Sequence, residues 1–264
     1  MTLSENYILK ACEPWEMVTY LGRRSNGLND VLPQNLAHDS IQSLEPQERK
    51  RLDTFISSPS KPFIIMENLR QGLNEKTLFE LDIKIGFKTA SKKELIEQSH
   101  PSPFMKRQKH RCLDIAYQST NRGWRIEGIT IKGHPQKHPK LYFSLFPVHF
   151  LHNFMSKLPP EKQSLILAKV EKITEKLKRY TGDLIGPSIL IVTDLDKDSP
   201  CRAHLIDCAH GSLRKKAQIP YPEVANAAAQ FHTTIKSMNT GNFHQYDNET
   251  IRLTQRSQLL TSLM

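Results

Sequence analysis

Apolar residues recur along the chain with two different periods, and the places where the period changes mark off its elements. Tyr7-Ile8-Leu9-Lys10 reads as a short strand. Pro14 then suits the first turn of a helix whose apolar members are Trp15, Val18 and Leu21, and Gly22 closes it. Residues 23–60 are polar and punctuated and read mostly as connection, with one amphipathic helix over Pro46 to Phe55. The run Lys61-Pro62-Phe63-Ile64-Ile65-Met66 predicts a buried strand, and Leu78 to Phe87 predicts a second beyond the turn Gly72-Leu73-Asn74. Another strand is expected over Trp124 to Ile131.

Beyond Lys140 the helical period takes over. The aromatic segment Tyr142 to Phe146 leads into a helix, and Glu161 to Tyr180 repeats Ile166, Val170, Ile173 and Leu177 at helical spacing, so these four belong to the core. Ser188 to Val192 and Ala203 to Ile206 are apolar strands joined by the turn-forming Asp194 to Pro200, a β-hairpin. Helices are expected over Pro222 to Met238, ended by Gly241, and over Thr250 to Leu263. The order is a mostly β front and a helical back with one inserted hairpin, which is an α+β plan.

Composition narrows the picture. The 264 residues suffice for one large domain or two small ones, and 38% hydrophobic with 24% charged residues is the balance of a folded globular chain. Lys+Arg 37 against Asp+Glu 27 leaves a net charge of +10, so the expected partners are anionic. No apolar run approaches the ~18 residues of a transmembrane helix, and residues 1–10 lack a signal-peptide pattern, so a soluble, cytoplasmic protein is expected. The four cysteines Cys12, Cys112, Cys201 and Cys208 form no CxxC pair and read as reduced thiols. Neither phosphate-binding glycine motif, G-x-x-x-x-G-K-[ST] or G-x-G-x-x-G, occurs. The basic runs lack interleaved aromatics, so no nucleic acid is expected as a partner.

Three groups of residues carry candidate chemistry. In Leu81-Asp82-Ile83-Lys84-Ile85-Gly86, strand geometry puts Asp82 and Lys84 on one face and the three apolar side chains on the other. This is also the pattern of an exposed, salt-bridged edge strand. Leu205-Ile206-Asp207 ends an apolar strand with a carboxylate, a good place for Mg²⁺ and equally for a capping residue. Lys10 on a strand and Glu16 on the following helix resemble the lysine–glutamate pair of kinases.

The order of these segments is more informative than any one of them. Lys10, then Ile65-Met66-Glu67-Asn68-Leu69, Asp82-x-Lys84-x-Gly86, Trp124-Arg125-Ile126-x-Gly128, Ser188-Ile189-Leu190 and Ile206-Asp207-x-Ala209-His210 resemble the inositol polyphosphate kinase family, over about Tyr7 to Met238. The resemblance implies an α+β, two-lobed fold of protein-kinase or ATP-grasp type, with a small, mostly β lobe over residues 1–68 and a larger lobe over 69–264. It implies ATP and Mg²⁺ as cofactors and an inositol phosphate as substrate. By position, Glu67 and Leu69 would form the hinge that binds adenine, and Lys10 would hold the ATP phosphates. Asp82 would sit near the ribose and the attacking hydroxyl, and Lys84 would bind substrate phosphate and steady the transferred group. Asp207 would hold Mg²⁺ with Ser188 nearby, and His210 would face the substrate. Lys106, Arg107, Lys109 and Arg111 are the basic candidates for the substrate pocket, with Arg214-Lys215-Lys216 as a second cluster.

The chain departs from the family pattern where Leu78 replaces its proline, Cys208 its aromatic and Gly211 its common threonine. The hairpin that caps the phosphates in relatives is expected to be missing ahead of Lys10. Retention of Lys10, Asp82, Lys84, Ser188 and Asp207 favours an active enzyme. The alternative is an inactive protein that binds inositol phosphates or phosphoinositides, and a peripheral phosphoinositide contact is compatible with the basic charge.

Overall fold

The computed structural model describes residues 2–12, 14–22, 27–35, 44–56, 62–87, 105, 108, 119–135, 143, 146–180, 182–184, 186–208, 212–213 and 222–239. Strand β1 (Tyr7–Ala11) pairs antiparallel with β2 (Phe63–Glu67) in a two-stranded sheet. Its outer side is covered by helix α2 (Pro46–Ile56), where Leu44 and Leu52 pack with Leu3, Leu9 and Ile65. Helix α1 (Pro14–Leu21) follows β1 directly.

The larger sheet has five antiparallel strands in the order β5-β4-β3-β7-β8, formed by β3 (Phe79–Ile85), β4 (Trp124–Ile131), β5 (His134–Pro135), β7 (Ser188–Thr193) and β8 (Arg202–Ile206). A short strand β6 (Gly182–Asp183) pairs with β9 (Ser212–Leu213). One face of the five-stranded sheet buries Phe79, Leu81, Ile83 and Ile85 of β3 with Trp124 and Ile126 of β4 and Ile189 and Ile191 of β7. Three helices pack there: α4 (Pro147–Ser156), α5 (Pro160–Arg179) and α6 (Pro222–Asn239). Phe154 meets Phe79 edge-on at 5.7 Å, and Phe231 meets Trp124 at 5.4 Å. A one-turn helix α3 (Ser119–Arg122) leads into β4.

The helical stripe on α5 behaves as its spacing predicts: Ile166, Val170, Ile173 and Leu177 are all buried in this core. Two expectations are corrected. Helix α1 does not turn Val18 and Leu21 inward: they are 51% and 61% exposed, while Glu16, Thr19 and Tyr20 are buried. A charged side chain can take the inner face because it has a partner there, Lys10 at 2.7 Å. The hairpin β7–β8 is not an insertion in a helical back half, since β7 pairs with β3 and the hairpin completes the same sheet as β4. That pairing joins residues more than a hundred positions apart, which local periodicity cannot reveal. The proposed helix over Thr250 to Leu263 and the end at Gly241 lie outside the described residues. Cys12, Cys201 and Cys208 are free, buried thiols.

The turn between β4 and β5 is built on Gly133, at φ +73°, whose N–H donates to the Leu78 carbonyl at 2.9 Å. A Cβ there would lie 2.3 Å from the Glu75 carbonyl oxygen, whereas a Cβ on Gly72, also at φ +73°, would meet nothing within 4 Å. Gly133→Ala is therefore expected to lower stability by ~3 kcal/mol and Gly72→Ala by only ~1 kcal/mol, the bare cost of the left-handed backbone. Urea unfolding of both variants checks the difference, and equal losses would contradict it.

Candidate functional site between the two sheets

Alternation along β3 sends Glu80, Asp82 and Lys84 to the face opposite the helices. On the neighbouring strands the same face carries Leu190 and Val192 of β7 and Ile206 of β8. The two-stranded sheet stands over this face, and the space between holds a cavity of about 730 Å³. Ile8, Lys10, Met66, Glu67, Asn68 and Leu69 line it from the β1–β2 side, and Asp82, Glu127, Leu190, Ile206 and Asp207 from the other. Apolar walls thus meet a charged end.

At the charged end Lys10 reaches Glu16 of α1 at 2.7 Å and Asp207, just past β8, at 2.5 Å. Asp207 stands at φ +53°, so the chain bends sharply where the strand delivers its carboxylate. The Tyr20 ring, fully buried, lies beneath with its centroid 5.9 Å from the Lys10 ammonium. Burial tends to raise the Asp207 carboxyl, but the adjacent charge and hydrogen bond of Lys10 outweigh it and hold it below its ordinary value. Burial acts against the Lys10 ammonium, yet Asp207 and Glu16 together keep it above its usual value. Both groups are charged at neutral pH.

Asp82 behaves oppositely. Burial pushes its carboxyl from 3.8 to about 6; a hydrogen bond from Ser188 opposes this, and the charges of Asp207 and Glu127 add to it. Its Oδ1 is buried with no hydrogen-bond partner among the described residues. Two carboxylates whose proton affinities are driven apart by their surroundings are the usual material of acid–base chemistry.

Of the sequence-predicted residues, Lys10, Glu67, Leu69, Asp82 and Asp207 come together on one cavity. Lys84 and Ser188 are cross-strand partners one row beyond Asp82 and do not line it. Ser188 is buried beneath Asp82. Lys106, Arg107, Lys109, Arg111, His210 and the cluster Arg214-Lys215-Lys216 lie outside the described residues. Glu127 was not legible in advance. It enters the cavity through a β-bulge, because Asp82 pairs with Gly128 but Ile83 pairs with Ile126, leaving Glu127 as the extra residue. Arg125 holds its carboxylate at 2.7–2.8 Å. A glycine inside a strand, Gly128, was the available signal.

A family model described as inositol polyphosphate kinase matches residues 63–232. Among solved structures, the fold is similar to the inositol phosphate multikinase of S. cerevisiae, determined with ADP and Mn²⁺, at a TM-score of 0.64 and 17% identity, over 88% of this chain and 98% of that one. A second inositol phosphate multikinase structure is similar at a TM-score of 0.60 and 15% identity, over 84% of this chain and 99% of that one. No curated protein matches the chain. Among the described residues no helix is long and apolar enough to cross a membrane.

The strained ionisation of Asp82 has a measurable consequence. Its folded-state value lies above 3.8, so its charge opposes folding at pH above about 6, and this penalty fades as the pH falls from 6 toward 4. Asp82→Asn removes the charge and keeps an acceptor for Ser188. It is expected to stabilise the fold at pH 8 by about 1–2 kcal/mol, after discounting for residual solvent contact, with the gain shrinking below pH 6. Thermal melts across this range check it, and a variant no more stable than the parent at pH 8 would contradict it.

Proposed function

The chain belongs to the inositol polyphosphate kinase family, and on that premise we propose that it transfers the γ-phosphate of ATP to an inositol phosphate. The observation that carries this reading is the cavity itself. It joins a backbone segment at Glu67 to Leu69, suited to a purine edge, with one cation and two unlike carboxylates at the far end.

In this reading the base lies between the apolar walls of Ile8 and Met66 on one side and Leu190 and Ile206 on the other. Lys10, held by Glu16, neutralises phosphate oxygens. Asp207, ionised at neutral pH, is suited to a hard cation. Mg²⁺ bound there would shield charge on the transferred phosphoryl group. Asp82 accepts the proton of the attacking hydroxyl as the new P–O bond forms and the bond to the departing ADP breaks. A carboxyl titrating near 6 suits that task at neutral pH. Lys84, one row deeper, steadies the transferred group and the substrate phosphate. The barrier is lowered by positioning and charge neutralisation.

One observation favours a second reading, an inositol phosphate binder without catalysis. Lys10 and Asp207 pair directly at 2.5 Å, so the cation meant for phosphate and the carboxylate meant for metal satisfy each other. Mg²⁺-dependent transfer from labelled ATP to a panel of inositol phosphates separates the two. The kinase reading expects transfer that stops on chelation, falls at least ~10³-fold in Asp207→Asn, and declines as pH drops through about 6. Full activity in Asp207→Asn, or binding of a panel member with no transfer by the parent protein, would overturn it.

A further inference from the structure

The segment after β2 is held in place by a side chain from the far edge of the larger sheet. Two successive turns close through Gln71 N–H to the Asn68 carbonyl at 3.0 Å and Leu73 N–H to the Arg70 carbonyl at 3.1 Å. These turns use alternate carbonyls and leave those of Leu69 and Gln71. Arg202, the first residue of β8, takes both: its Nη1 donates to Leu69 O at 3.0 Å and to Gln71 O at 2.7 Å. At the next position along, the Asp194 carboxylate accepts from Asn74 N–H at 2.8 Å. On the opposite side, Asn68 N–H donates to the Asn6 carbonyl at 2.8 Å, tying the same turn to the start of β1.

Leu69 lines the cavity, and its own N–H has no hydrogen-bond partner among the described residues. The Leu69 N–H lies in one planar peptide unit with the Asn68 carbonyl, which Gln71 N–H holds, and Arg202 pins the adjoining unit through the Leu69 carbonyl, so rotation that would turn the Leu69 amide away from the cavity is restricted from both sides. We propose that Arg202 is a positioning residue for the nucleotide: without touching it, the guanidinium holds the turn so that the Leu69 N–H faces a bound base. This rests on the kinase reading above, in that a nucleotide occupies the cavity.

The test measures ADP affinity by calorimetry for the parent protein, Arg202→Met and Arg202→Lys, together with hydrogen exchange of peptides covering residues 68–78. Methionine keeps the apolar stem and loses the donors. Lysine keeps several donors on one nitrogen, which is how Arg202 makes both bonds. Arg202→Met is expected to weaken ADP binding about ten-fold, the scale of one charge-assisted hydrogen bond, with faster exchange confined to residues 68–78. Arg202→Lys is expected to recover most of both. Parent-like ADP affinity in Arg202→Met, or a loss that Arg202→Lys does not repair, overturns the role of Arg202 while leaving the kinase reading intact. Failure of the parent protein to bind ADP overturns both.

Discussion

The ammonium of Lys10 is the point on which the site depends. It belongs to the small sheet, yet both of its partners come from elsewhere, Glu16 from α1 and Asp207 from the end of the large sheet. A lysine this enclosed keeps its charge only while anions surround it, since desolvation alone would favour the neutral amine. The same contact explains why α1 buries Glu16 and leaves Val18 and Leu21 exposed. An isolated amphipathic helix would turn Val18 and Leu21 inward, but the ion pair at Glu16 and the ring of Tyr20 under Lys10 fix the opposite rotation.

Strand β3 supplies the second constraint. Its strict alternation separates a core face, closed by three helices, from a face that can carry charge. Asp82 and Lys84 occupy the open face, and the bulge at Glu127 brings another carboxylate beside Asp82. Burial raises the proton affinity of Asp82, with the charges of Asp207 and Glu127 adding to it, while Asp207, in direct contact with Lys10, stays ionised. The difference arises from surroundings, burial for Asp82 and contact with Lys10 for Asp207, for the two side chains are chemically identical.

A backbone segment that is to recognise a flat base must present its groups in one orientation, and turns do so only if their remaining polar groups are occupied. Between β2 and β3 this is met from three directions: by Asn6 near β1, by Arg202 on β8 and by Asp194 in the β7–β8 turn. The hairpin that completes the large sheet also secures the connection between the sheets.

The sequence by itself determined the elements and one face of the site. The period of two in β3 placed Asp82 with Lys84, the helical stripe of α5 named its core, and the order of short motifs carried the family. These are local signals, because side-chain direction along a strand or helix follows from backbone geometry alone. Which elements meet was decided only by the tertiary structure. The pairing of β3 with β7, the bulge at Glu127 and the reach of Arg202 to the Leu69 carbonyl all join residues distant in the chain. Their energies depend on burial and on partners that exist only once the chain has folded.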